Sequence, residues 1–119
     1  LLVMIEDEEG SGGVAESGID IREVISCNNT SNDGDPVGGS ITYTPFSDGS
    51  VIIKVNGLAV SLSNDKSGPI YFSADGGTNA KTIANITAGD SLYWNGSVAG
   101  YQLEASDDLD ITYQKSSND

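Results

Sequence analysis

The segment Val51-Ile52-Ile53-Lys54-Val55-Asn56-Gly57-Leu58-Ala59-Val60-Ser61-Leu62 constrains this chain most. Asn-Gly favours a two-residue type I′ turn, because both central residues need positive φ and these two tolerate it best. A turn there pairs Val55 with Leu58, Ile53 with Val60 and Val51 with Leu62. All six then share one face, with Lys54, Ala59 and Ser61 on the other. Turn chemistry and alternation agree, so a hairpin is expected.

The chain from Ser40 onward repeats the theme of short β runs separated by Gly, Asn and Asp. Strands are expected at 40–46, 50–55, 58–63, 69–74, 80–86, 91–94, 98–104 and 109–114. Ser47-Asp48-Gly49-Ser50 and Trp94-Asn95-Gly96-Ser97 read as further hairpin turns. Pro45, which has no backbone donor, places its strand at an edge. In the last run Leu109, Ile111 and Tyr113 alternate with Asp110, Thr112 and Gln114, as in a half-buried strand. No long segment sustains helical periodicity. The expected fold is all-β, a β-sandwich or jelly-roll-like antiparallel barrel. Residues 1–39 differ: they hold nine acids and one base, with turn-rich pieces around a short apolar stretch (Ile19, Ile21, Val24, Ile25). They read as an extended acidic N-terminal arm with one or two short strands, and residues 40–119 as the compact β domain.

Charge narrows the partners. The net charge of −13 disfavours binding to nucleic-acid phosphates, which depends on Lys and Arg contacts, and disfavours anionic membranes. The opening Leu1-Leu2-Val3-Met4-Ile5 is too short for a membrane span, and it runs into four acids rather than following a basic start. The absence of His removes the usual general base and the commonest zinc ligand. Cys27, the lone cysteine, reads as an inert structural thiol. No catalytic residue, metal site or cofactor is expected.

The motifs that could carry chemistry have plainer readings. Asp107-Asp108-x-Asp110 is read as a charged loop entering a strand, with a cation site as the alternative. Asn32-Asp33-Gly34-Asp35 is read as a solvated turn, since an EF-hand spacing fails around it. Asp75-Gly76-Gly77-Thr78 lacks the Lys-Ser/Thr and the following helix of a phosphate loop, and reads as a tight turn. Asn28, Asn29, Asn85 and Asn95 each fit N-x-[ST] and are read as turn residues. Tyr71, Phe72, Tyr93, Trp94 and Tyr101 are read as core, with an aromatic platform for sugar rings as the alternative.

Residues 69–113 carry a resemblance. The segments Tyr71-Phe72-Ser73-Ala74-Asp75-Gly76-Gly77-Thr78, Gly89-Asp90-Ser91-Leu92-Tyr93-Trp94-Asn95-Gly96-Ser97-Val98-Ala99-Gly100-Tyr101-Gln102-Leu103 and Asp107-Asp108-Leu109-Asp110-Ile111-Thr112-Tyr113 together resemble small virion structural proteins of tailed bacteriophages, of the head decoration (cement) or fibre-appendage type. That resemblance implies a non-enzymatic capsid decoration protein that clamps adjacent capsid subunits at the virion surface, extracellular as part of the particle. It implies the major capsid protein or another virion protein as partner, and a homo-oligomer, with no nucleic acid or membrane contact. A receptor- or glycan-binding fibre module is the alternative. Contacts are expected from residues 1–25 and 88–103, through Leu1, Leu2, Val3, Ile5, Ile19, Ile21, Tyr93, Trp94 and Tyr101.

Overall fold

The computed structural model of the chain describes residues 17–46 and 51–118. It is all-β, with two antiparallel sheets and, among the described residues, one short helix and one 3-10 turn. The strands are β1 (Gly18–Ser26), β2 (Asp35–Ser40), β3 (Ile52–Val55), β4 (Leu58–Val60), β5 (Ile70–Ser73), β6 (Ser91–Trp94) and β7 (Asp108–Ser116). One sheet has the order β1-β7-β3-β4 and the other β2-β6-β5.

The hairpin forms in the expected register. Val55 faces Leu58, Lys54 faces Ala59 and Ile53 faces Val60. Asn56 (φ 50°) and Gly57 (φ 88°) supply the left-handed pair that a type I′ turn requires. The strand pairing ends at Val60, and Leu62 instead makes an isolated parallel bridge with Ile70. Ile53 and Val55 are buried as expected, but Leu58 sits on the short edge strand at the turn end and is 74% exposed. In β7, Leu109, Ile111 and Tyr113 are buried, while Asp110, Thr112 and Gln114 keep contact with solvent.

A single core joins the sheets. Ile53, Val55, Leu109, Ile111 and Tyr113 from the first meet Val37, Ile70, Phe72, Leu92 and Trp94 from the second, with Cys27, Ile41, Ile86 and Leu103 closing the sides. Inside this layer the Tyr113 hydroxyl donates to Glu23 Oε2 at 2.7 Å and accepts from the Tyr43 amide at 3.1 Å. Burial and the adjacent Glu23 carboxylate push the Tyr113 phenol well above its ordinary range.

Four expectations give way. The boundary between an arm and a domain at residues 39/40 falls at the end of β2, and β1 pairs with β7 along all nine of its residues. Residues 18–26 and 35–40 therefore each supply an edge strand, one to each sheet, and the acids on the open face of the first gave it the look of an arm. Residues 41–46 do not continue as a strand, although Pro45 makes a bridge to Lys115. The run 80–86 contains a 3-10 turn at Ile83–Asn85 instead of a strand. Residues 98–104 form no strand, and Asn95-Gly96 no hairpin, because both edges of β6 are already occupied by β2 and β5. The chain instead makes a one-turn helix, α1 (Gly96–Ala99), closed by Gly100 at φ 93°. The expected turn at 47–50 lies outside the described residues.

Candidate functional site

The aromatic segment was the strongest sequence candidate, and alternation splits it between two faces. Ile70, Phe72, Leu92 and Trp94 enter the shared core, so their neighbours Tyr71 and Tyr93 project to the opposite face. Tyr71 and Tyr93 lie directly across from each other and stack, with ring centroids 5.7 Å apart and 23° between planes. The turn 73–79 folds over them. The Tyr71 hydroxyl donates to the Gly77 carbonyl at 3.0 Å, and a Cβ on Gly77 would lie 2.9 Å from the Tyr93 ring. Burial, with smaller contributions from Tyr93 and Asp75, raises the Tyr71 pKa.

Trp94 is fully buried, and its indole N–H donates to the Tyr101 carbonyl at 2.9 Å. The Tyr101 ring tilts against it at 5.3 Å and remains 45% exposed. This corrects two expected contacts. Tyr93 and Trp94 are interior groups and offer no surface to a partner, because β6 is the central strand of its sheet and both its faces are covered. Tyr101, read as core and also as a partner contact, is exposed. Ile19 is exposed and Ile21 half-buried, both on β1. Leu1, Leu2, Val3 and Ile5 lie outside the described residues.

Two clefts flank this segment. The larger, about 500 Å³, is bordered by Asp33, Lys66, Tyr71, Thr78, Asn95 and Val98. Its polar groups are engaged with the chain itself. Lys66 Nζ donates to the Thr78 carbonyl at 3.1 Å, and Asn95 Nδ2 donates to the carbonyls of Lys66 and Gly68 at 2.8 and 2.9 Å. Asp33 accepts from both the amide and the hydroxyl of Ser97, which lowers its pKa. The smaller cleft, about 390 Å³, is lined by Val55, Asn56, Leu58, Tyr101, Glu104 and Asp107. Alternation places Leu58 on the same face as Ile53 and Val55, and its edge position on the three-residue β4 leaves it exposed.

The acidic motifs act as turn clasps. Asp35 Oδ2 accepts from the amides of Ser31 and Asn32 at 2.8 and 2.9 Å. Asp75 accepts from the Asn79 amide at 2.9 Å and the Ser73 hydroxyl at 2.7 Å, and these bonds draw its pKa down to about 2. Asp107 accepts from Asn56 Nδ2 and the Glu104 amide, both at 2.9 Å, while Asp110 pairs with Arg22 at 2.7 Å. A carboxylate holding two amides stays ionised and fixes its loop, but it has few lone pairs left for a cation. Among the described residues, no group of three or more Cys, Asp or Glu side chains is arranged to hold a metal ion. Cys27 is buried, and desolvation aided by Asp107 and Asp108 pushes its thiol up to about 11. At neutral pH it is protonated and a poor nucleophile.

No protein family, curated protein or solved structure matches the chain. Among the described residues no helix is long and apolar enough to cross a membrane.

Proposed function

We propose that this chain is a non-enzymatic structural protein of a tailed-phage particle, a capsid decoration protein that clamps neighbouring capsid subunits, and that its two sheets are the layers of a jelly-roll-like β-sandwich. The observation that supports attachment is the cleft between Leu58 and Tyr101. An isolated leucine and a tyrosine, 74% and 45% exposed, face one hollow next to the carboxylates of Glu104 and Asp107. Covering such a pair removes apolar area from water, and tyrosine is favoured at interfaces because its hydroxyl can stay solvated. The partner that fits is an apolar knob bordered by Lys or Arg.

The turns suit a mechanical role. Carboxylates at 33, 35, 75 and 107 are spent on clasping loops, which limits the conformations those loops can sample. The alternative of a sugar-binding module loses its main stacking ring, because Trp94 is buried. Quantitative mass spectrometry of purified particles tests the proposal. The chain should occur in proportion to the capsid protein, and a folded Leu58→Asp/Tyr101→Ala variant should be depleted from particles. Occurrence in proportion to tail-tip proteins, or undiminished incorporation of the variant, overturns it.

A further inference from the structure

We propose that a second copy of this chain docks on the open edge of β1, joining the two four-stranded sheets into one continuous antiparallel sheet in a register centred on Ile21. Sheet edges present unpaired N–H and C=O groups and are templates for a further strand. Most edges here are short or covered. β4 is three residues long, and the outer side of β5 receives the Ser63 and Lys81 amides on the carbonyls of Ile70 and Phe72. The outer side of β2 receives the Asn28 amide on the Val37 carbonyl. β1 differs: it has nine residues, no proline and no break in its register, and among the described residues only β7 pairs with it.

The direction of its backbone groups follows from the ladder. Ser117 donates to the Ser17 carbonyl, and Cys27 donates to the Asp107 carbonyl, at the two ends of the β1–β7 pairing. Hydrogen-bonded pairs alternate in an antiparallel ladder, so the odd-numbered residues of β1 bond to β7. Gly18, Asp20, Arg22 and Val24 therefore direct their amides and carbonyls outward. Their side chains lie on the solvent face, where Val24 is 54% exposed.

Charge selects the register. A two-fold antiparallel pairing must set outward residues against outward residues. Centring it on Asp20 opposes two carboxylates, and centring it on Arg22 opposes two guanidinium groups. Centring on Glu23 again brings like charges together. Centring on Ile21 sets Asp20 against Arg22 of the second copy twice over, and Val24 against Gly18. On the other face Ile21 then meets Ile21, and Ile19 lies across from Glu23 of the second copy, whose carboxylate is held by the Tyr113 hydroxyl. Arg22 is equipped for this, since only two of its five N–H donors are used, both on Asp110 Oδ2 at 3.1 and 2.7 Å. Opposite charges facing across strands stabilise a pairing that like charges oppose.

This proposal does not depend on the particle reading. Analytical ultracentrifugation of the purified full chain tests it. The wild type should sediment as a concentration-dependent dimer. Arg22→Glu should raise the dimer dissociation constant at least tenfold, and the exchange Asp20→Arg/Arg22→Asp should restore it. Val24→Pro, which removes an outward donor without touching the core, should also give a monomer with unchanged far-UV circular dichroism. A wild-type monomer at all concentrations overturns the proposal, as does a dimer indifferent to Arg22→Glu and Val24→Pro, or failure of the exchange to restore association. A dimer abolished only by deleting residues 1–16 identifies Leu1–Ile5 as the added strand and equally overturns it.

Discussion

The two sheets share one core but treat their other faces differently. The sheet β1-β7-β3-β4 leaves its outer face to water, with Asp20, Arg22, Lys54 and Gln114 along it. In the sheet β2-β6-β5 the strands β5 and β6 are covered there as well: all four residues of β5 are buried, and turn 73–79 sits on the Tyr71–Tyr93 stack, while β2 stays largely exposed. One-sided burial produces a strict alternation of apolar and polar residues, whereas two-sided burial produces short continuous runs such as Ile70-Tyr71-Phe72. The covered sheet therefore depends on its loops for stability, and the open one depends on them much less.

The largest expected effect separates the two outer faces. Tyr71→Ala should lower stability by about 3–5 kcal/mol, the usual cost of deleting a fully buried aromatic side chain. Lys54→Ala, on the outer face of the open sheet, should change it by less than about 0.5 kcal/mol. Urea unfolding followed by circular dichroism gives both values. Comparable losses at the two positions would mean that turn 73–79 is not a true cover.

Two glycines sharpen the same contrast at smaller scale. Gly57 in the open sheet's hairpin and Gly77 in the covering turn both have φ near 90°, so alanine strains either by about 1 kcal/mol. A Cβ at Gly57 meets nothing within 4 Å, but at Gly77 it would press on the Tyr93 ring. Overpacking adds about 1–3 kcal/mol. Thermal melts should therefore rank Gly77→Ala clearly below Gly57→Ala, and the reverse order would place the turn away from the ring.

This difference also decided what could be read from the sequence. The hairpin around Asn56-Gly57 and the alternation of β7 were legible, because each depends on local turn chemistry or on one-sided burial. Outside β6, whose expected bounds 91–94 hold, the region 80–104 was not. Its residues have strand-like composition, yet β6 already has two neighbours, and only the assembled topology reveals that no edge is left for another strand. β1 was misread for the opposite reason, since its open face carries the charges expected of an arm. Of the candidate contacts, Tyr101 could be picked out from its residue type, whereas Leu58 is exposed only because β4 is short and lies at an edge.

The smallest effect concerns acid. Asp75, held by the Asn79 amide and the Ser73 hydroxyl, has its pKa lowered from 3.8 to about 2, and Asp33, Asp35 and Asp65 are lowered by similar amide and hydroxyl bonds. Asp33, Asp65 and Asp75 lie in loops next to strands of the covered sheet, and Asp35 is the first residue of β2. A carboxyl group whose pKa falls on folding contributes stability that is complete above its unfolded value, and that contribution disappears as pH drops through the folded value. Melting temperature should therefore decline between about pH 4 and pH 2. Asp75→Asn should melt below the wild type at neutral pH and converge with it near pH 2. In NMR spectra recorded through that window, the Tyr71 and Tyr93 ring signals should shift before the amides of Ile111 or Ile53, because the clasp that titrates closes the turn above those rings. Simultaneous loss of all these signals would show that the covering loop and the open sheet unfold as one unit, and the asymmetry between the sheets would then be one of packing without any difference in local stability.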